Sequence, residues 1–374
     1  MTERPPPAGR RTMVHHQPSH DQLLRELDTS RQSTIDAIIV PSARRVESLG
    51  PALRLANVLD CPALVLCSGA SHPGEVVDAA MASRAEAIAV DFRDAELPLV
   101  LESSRAISHL PHGEKYHNSS LKRNVGLLVA HMTGTWRRVL YHDDDIEIIH
   151  DFHARAAAAW LSEFHAVGLE IKNFPDNSVV CHASREAGNE QSTFIGGGAL
   201  AVHIDELDQF FPDIYNEDWL FIADAVSARK VGRLGMATQA AYDPFAEADR
   251  AWFQEFGDCI AEGVYASLHV SQEIDESLDY WTSFLADRAH FIAKLRDGVT
   301  GTAEGTKVRA SLDAAAAALQ RIEPIDCVQF LRSWASDKPR WRKAKQGLPV
   351  NVKVHMALAE LNLHSFAKTQ DFPN

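Results

Sequence analysis

The chain has 374 residues, 45% of them hydrophobic and 24% charged; this is ordinary globular composition, long enough for one large α/β domain or two smaller ones, and it excludes a disordered or fibrous polymer. Its 37 Lys and Arg against 51 Asp and Glu leave a net charge of −14, a field that would repel nucleic acid or an anionic membrane and argues against either as the main partner. Five scattered cysteines, none in a C-x-x-C pair, suggest neither a disulfide framework nor a zinc knuckle and fit a reducing cytoplasm.

No apolar run reaches the roughly 18 residues of a membrane-spanning helix, and the first residues hold no apolar stretch of the signal-peptide kind. A cytoplasmic protein without a membrane span is therefore expected. Residues 1–34 contain Pro5-Pro6-Pro7 and His15-His16-Gln17-Pro18, with only Leu23, Leu24 and Leu27 as an apolar stripe. They read as a flexible arm ending in one short helix.

From Ile35 the texture changes to short β-branched runs separated by helical patterns, which predicts βαβ units around a largely parallel sheet. Strands are expected over residues 35–40, stopping at Pro41, over 63–67, stopping at Ser68-Gly69, over 87–91, and over 138–142 after a helix at about 120–132. An alanine-rich helix at 152–167, a strand at 178–182, a strand at 199–202 and a helix at about 205–211 follow. Beyond about residue 246 almost all periodicity is helical, and no fixed-period repeat is visible.

The strand at 138–142 runs directly into Asp143-Asp144-Asp145. Three adjacent carboxylates repel one another unless a cation or several donors offset the charge. If strand geometry persists, alternation puts Asp143 and Asp145 on one face and Asp144 on the other. Such a pair suits Mg²⁺ or Mn²⁺ and leaves positions for water and substrate phosphates; the plainer alternative is an exposed turn, where Asp is common.

Upstream, Lys122-Arg123-Asn124 reads as the opening of a helix, where cations and free backbone N–H groups suit a pyrophosphate; a surface helix with ordinary basic residues is the alternative. Downstream, Glu217-Asp218 lies between Tyr215 and Trp219. Carboxylates among aromatic rings suit a general base facing a cyclic acceptor, while acids at a helix start are favoured by the dipole in any case. Gly196-Gly197-Gly198 would let a ligand approach the backbone closely or form a flexible turn. The basic cluster Lys338, Arg340, Arg342, Lys343 and Lys345 is either a solvated loop or a clamp for phosphate or an acidic acceptor.

In this order, Lys122-Arg123-Asn124-x-Gly126, Val139 to Asp145, Gly196-Gly197-Gly198 and Asn216-Glu217-Asp218-Trp219 resemble the GT-A nucleotide-sugar glycosyltransferases. The likeness is to family-2-like enzymes and to bacterial glucosyl- or mannosyl-phosphoglycerate and glycerate synthases, over about residues 35–270. It implies a Rossmann-like α/β fold whose predominantly parallel central sheet is joined by a smaller acceptor-side sheet, with a helical C-terminal portion. Residues 35–150 would form the nucleotide-sugar-binding half, 151–270 the acceptor-side half and 271–374 a helical extension.

The resemblance further implies a divalent-metal-dependent transfer of a sugar from a nucleoside diphosphate donor to a hydroxyl of a small-molecule acceptor. Asp143 and Asp145 would hold the metal, and His269 would stand where retaining relatives place a third ligand, although a lone histidine on an apolar helix is often a core residue. Asp144 would touch the ribose or donor sugar, and Pro41, Ser42, Ala43 and Arg44 would border the nucleoside. Lys122 or Arg123 would assist the diphosphate, Gly196 to Gly198 would shape the donor–acceptor junction, and Asp218 or Glu217 would position the acceptor hydroxyl.

Two departures stand out. Arg44-Arg45 replaces the usual Asn-Glu pair after the first strand, and the second strand ends in Cys67-Ser68-Gly69 without the acid that reads the base, so UDP and GDP remain equal choices. The rival readings are a sugar-1-phosphate nucleotidyltransferase, against which the glycine-free stretch 41–46 speaks; an all-helical terpene synthase, against which the early strands speak; and a non-catalytic nucleotide-sugar-binding protein on the same fold. Alanine-rich helices after about residue 246 leave room for a homodimer. Residues 151–245 carry 6 bases and 14 acids, a charge of −8, so more than half of the net negative charge lies on the expected acceptor side and a strongly anionic acceptor is disfavoured.

Overall fold

Apolar runs that tolerate no polar break are the mark of strands buried on both faces, and the first half of the chain contains four. A computed structural model describes residues 16–92, 99–111, 114–175, 177–299 and 301–369. In it the strands β1 (Arg25–Glu26), β2 (Ala37–Ser42), β3 (Ala63–Cys67), β4 (Ala87–Asp91) and β5 (Arg138–His142) are joined by helices α1 (Gly50–Leu59), α2 (Pro73–Ala82), α3 (Glu102–Ala106) and α4 (Glu114–Thr133). β2 lies parallel to both β3 and β5, and β3 is parallel to β4, in the spatial order β4-β3-β2-β5. β2 runs through Pro41 to Ser42 rather than stopping before it, because its ladder to β5 ends at Ile39 and the proline ring interrupts no bond on that side.

The next stretch holds β6 (Ile146–Ile149), α5 (Asp151–Trp160), β7 (Ala166–Lys172), α6 (Val179–Glu186), β8 (Ala199–His203), α7 (Glu217–Ser227) and β9 (Val231–Gln239). Here the structure departs from the sequence pattern several times. The expected strand at 178–182 is helical: Ser178 caps α6 by accepting the Cys181 N–H at 3.2 Å, a local N-cap that outweighs β-branched propensity. The alanine-rich helix ends at Trp160, and β7 takes over with Val167, Leu169 and Ile171 buried on one face. No helix forms at 205–211.

β8 runs antiparallel to β5 and β7, and β9 parallel to β7. The expected smaller acceptor-side sheet is therefore not separate: with β10 (Phe366–Lys368), all ten strands among the described residues belong to one sheet, β1-β9-β7-β8-β5-β2-β3-β4-β10, with β6 paired to β9. The arm also differs from its expected form. Residues 1–15 lie outside the described residues, Asp21–Leu23 form a single 3-10 turn, and β1 docks parallel to β9 at the sheet edge.

The C-terminal third is helical as its periodicity predicts, with α8 (Asp249–Ser271), α9 (Leu278–Gly298), α10 (Ala303–Leu319), α11 (Pro324–Gln346) and α12 (Val354–Glu360), before β10 (Phe366–Lys368) returns antiparallel to β4. Alternate strand residues face two cores. Ile38, Val40 and Val65 point to the side covered by α1, α2 and α5, whereas Ile39, Leu64 and Tyr141 face a larger core that includes side chains of α4 and α7 to α12. The residues Lys338 to Lys345 lie on α11, not in a loop. Lys338 pairs with Asp224 at 2.8 Å, Arg340 with Asp337 at 2.6 Å, Arg342 with Asp208 at 3.1 Å, and Lys345 Nζ donates to the Ile204 carbonyl at 2.9 Å. Their charge ties the C-terminal helices to the rest of the fold. Among the described residues no helix is long and apolar enough to cross a membrane, and all five cysteines are buried and unpaired.

Candidate functional site

The chain steps outward from β2 to β3 to β4, then returns through α4 to set β5 on the other side of β2. At such a reversal, the crevice beyond the carboxyl ends of the neighbouring strands is where open α/β sheets bind ligands. A cleft of about 850 Å³ opens at this point. Pro41, Ala43, Arg44, Lys122, Arg123, the three aspartates 143–145, Gly196, Gly198, Glu217 and Asp218 all line it. Residues up to 177 positions apart in the sequence are thereby brought to one place. Ser42 lies just beneath, fully buried, with its hydroxyl on Ser71 at 2.9 Å.

Strand geometry does not persist through the acidic triplet. β5 stops at His142, and the chain turns so that Ile146 N–H donates to the Asp143 carbonyl at 3.1 Å. The face alternation expected for 143, 144 and 145 is lost, and all three reach the cleft. Asp144 Oδ2 accepts the backbone N–H groups of Ala43 and Arg44 at 2.7 and 2.9 Å, and Arg44 in turn reaches Asp145 Oδ2 at 2.9 Å. The middle aspartate thus fixes the loop after β2.

Lys122, Arg123 and Asn124 do not open a helix; they sit well inside α4, where their backbone N–H groups belong to the helix. Their side chains do the positioning. Gly126, one turn on, allows α4 to lie close over β2, since a Cβ there would come within 2.6 Å of Ile39 Cγ2. Lys122 Nζ donates to the Ser42 carbonyl at 2.6 Å and to Ser68 Oγ at 2.7 Å, and burial pulls its pKa down to about 8 against the opposing field of Asp144. Asn124 brackets the backbone of Phe211 through bonds of 2.7 and 2.8 Å, and Ser120 Oγ holds the Pro212 carbonyl at 2.7 Å. These contacts pin the segment that leads into Glu217.

Arg123 is the centre of the site. It is buried and donates to both oxygens of Asp143, at 2.8 and 2.7 Å, and to Glu217. Burial pushes the Glu217 carboxyl up to about 8, with Asp218 and Asp143 adding to the rise and Arg123 opposing it. Asp143 is raised as well, by burial first and then by Asp144 and Asp218, again against Arg123. More negative charge is gathered here than Arg123 alone offsets. Gly197 donates its N–H to Asp218, and a Cβ on it would lie 2.9 Å from Arg123 Cζ. The glycine is there because guanidinium and backbone touch.

Glu217 and Asp218 are the first residues of α7, as dipole preference alone would allow. Asn216 precedes them in the left-handed region at φ 61°, which turns the helix start toward the cleft. The carboxylates that face the cleft offer oxygen donors only, the kind that suits Mg²⁺ or Mn²⁺, ions usually held by one or two carboxylates together with substrate phosphates. Among the described residues no three His, Cys, Asp or Glu side chains converge into a ready metal cage.

His269 does not line the cleft; its Nε2 lies 3.1 Å from His20 Nδ1, so it is joined to the N-terminal arm and not to Asp143 and Asp145. The sequence pattern missed several cleft residues: Ser68, Asn118, Asn177, Cys181, Phe194, Asp258 and Glu262. A signal existed for two of them. Glu255, Asp258 and Glu262 recur at helical spacing on a side of α8 that is buried, and acids among core positions need partners. Arg288 supplies them for Glu255, at 2.8 and 3.0 Å, and for Asp258, at 2.6 Å. No family model matches the chain, and no curated protein matches it.

Proposed function

We propose that the chain is a divalent-metal-dependent glycosyltransferase of the GT-A type, moving a sugar from a nucleoside diphosphate sugar to a hydroxyl of a small acceptor. The observation that carries this reading is the meeting, at the sheet's reversal point, of an aspartate turn, two basic side chains of α4 and the Glu217–Asp218 pair. A nucleoside would lie along Pro41 to Arg44, whose loop is already held by Asp144. Mg²⁺ or Mn²⁺, held by Asp143 and Asp145, would offset the charge of the departing diphosphate, the kind of term that dominates such chemistry.

Lys122 stands behind the ends of β2 and β3 as a second cation for phosphate, and Arg44 can exchange Asp145 for a phosphate oxygen. Glu217 acts by fixing Arg123, which leaves Asp218 as the carboxylate that orients the acceptor hydroxyl and accepts its proton. The aromatic neighbours Tyr215 and Trp219 line the same end of the cleft and suit the face of a sugar-like ring.

Asp145→Asn tests the reading. It is expected to abolish both release of free nucleoside diphosphate and the thermal shift that nucleotide produces with Mn²⁺, a shift of about 2.7 kcal/mol at a hundredfold excess over Kd in the native protein. A variant that keeps both overturns the metal assignment, and pyrophosphate as product would instead favour nucleotidyl transfer.

A further inference from the structure

At the acceptor end the cleft wall is built by residues that come together around one side chain of the N-terminal arm. His20 is 3% exposed. Its ring stands edge-on to Trp219 and Phe194 at centroid distances of 5.3 and 5.9 Å, and its Nε2 lies 3.2 Å from Glu262 Oε2. All three of those partners line the cleft. The pairing leaves Glu262 half engaged: Oε2 has His20, while among the described residues Oε1 has only the Cys181 thiol at 4.0 Å, the outer limit of a weak S–H donor. Burial alone would raise the Glu262 carboxyl, but the charge and hydrogen bond of His20, with His16 and Arg288, outweigh it and hold the group below the usual range.

Among the described residues the surrounding charge is mostly negative. Glu217, Asp218, Asp258 and Glu262 line this end of the cleft, and Arg123, already shared with Asp143, is the basic side chain lining it there. Arg288 lies behind Asp258 and is used by Glu255 and Asp258. The neutral polar groups between them, Asn177, Ser178 and Asn216, suit hydroxyls.

From this geometry we infer that the acceptor is an amine-bearing, polyhydroxylated ring whose ammonium group is bound by Glu262 beside Asp258, with Trp219 and Phe194 against the ring. The inference rests on the glycosyl-transfer reading and deepens it. An ammonium gives Glu262 Oε1 a charge-assisted partner that the described residues do not supply and offsets the negative charge of Glu262 and its neighbours Asp218 and Asp258. His20 is then a positioning residue, which makes the N-terminal arm part of the acceptor site.

The test is equilibrium binding without donor or metal, by titration calorimetry and by tryptophan fluorescence, using glucosamine, N-acetylglucosamine and glucose as probes of one ring with and without the cation. Glucosamine is expected to bind at least about tenfold more tightly than the other two, as a charged hydrogen bond at a buried carboxylate should provide. Glu262→Gln should remove that preference while UDP or GDP affinity, measured separately with Mn²⁺, stays unchanged. Equal affinity for the three probes overturns the inference, as does a preference that survives Glu262→Gln. Because the comparison of glucosamine with its N-acetyl form needs only the native protein, the outcome stands even if the variant does not fold. Nucleotide binding without any glucosamine binding rejects the amine acceptor alone, whereas loss of both kinds of binding rejects the glycosyl-transfer reading with it.

Discussion

Arg123→Met is the sharpest probe of the site's construction. Met keeps the aliphatic stem and removes the guanidinium that joins Asp143 to Glu217 across the cleft. Both carboxylates are then left facing Asp144 and Asp218 without their cation, and breaking a buried pair in this way costs about 3–5 kcal/mol. For 374 residues at about 2.1 cal/mol/K each, the unfolding entropy is about 0.8 kcal/mol/K, so the melting temperature should fall by about 4–6 °C.

The pH dependence of that loss distinguishes an electrostatic cause from a packing one. Glu217 titrates in the folded protein at about 8, above its ordinary value of 4.5, so its contribution to stability is present below the ordinary value and is lost as pH rises through 8. Arg123 limits that loss, since its charge opposes the rise. Without it the folded pKa of Glu217 moves higher still, so the deficit of the variant relative to the native protein should hold level from about pH 5 to about pH 7 and widen as the pH rises through 8 towards about 9. Calorimetric melting of both proteins across this range is the assay. A deficit under about 1 kcal/mol, or one that stays constant with pH, would refute the account of Arg123 as the counter-charge of the cleft.

Two other changes probe how the backbone serves the same side chains. Gly197→Ala places a Cβ within 2.9 Å of the Arg123 guanidinium and should cost about 1–3 kcal/mol, with a matching loss of donor turnover; an active, equally stable variant would show that Arg123 moves aside freely. Asp144→Ala removes the acceptor of the Ala43 and Arg44 N–H groups. It should raise the KM for the donor by about tenfold or more with a smaller effect on kcat, as expected when a charged hydrogen bond that orders a binding loop is lost. A kcat effect larger than the KM effect would place Asp144 in the chemistry instead.

How much of this was legible in the sequence depended on whether a residue's partner was local. The first four inner strands could be read because burial on both faces leaves unbroken apolar runs, as in Ile38-Ile39-Val40. β9 was not legible, because Gly232, Arg233 and Gly235 interrupt its pattern: Leu27 Cδ1 occupies the space beside Gly232 and His153 that beside Gly235, and neither neighbour is close in sequence. α6 was misread for the opposite reason, since Val179-Val180 looks extended until the Ser178 cap is recognised. Within the site, Asp143 to Asp145, Glu217 and Asp218 announced themselves as charge without a local partner. Arg123 was legible as a cation but not as their partner, and the pairing of the arm residue His20 with Glu262 left no local trace, because both contacts are set by tertiary packing.

Charge shows the same division between what composition reveals and what the fold decides. Residues 151–245 carry 14 acids against 6 bases, and on that ground the acceptor side was expected to be negative. The cleft is indeed acidic, but of the described acids among those 14 only Glu217 and Asp218 line it. The rest of its charge comes from the turn after β5 and from Asp258 and Glu262 on α8. The excess in 151–245 therefore acts mainly elsewhere, in ion pairs such as Asp224 with Lys338 and Asp208 with Arg342 that fasten the C-terminal helices. It follows that neutralising a surface acid of this segment, Glu163 or Glu190 for instance, should leave discrimination between amine and neutral probes unaltered, whereas Glu262→Gln, an equal change in net charge, should alter it. Selectivity set by a few carboxylates held at close range would stay largely intact at high salt, since partly buried charges are screened far less than exposed ones.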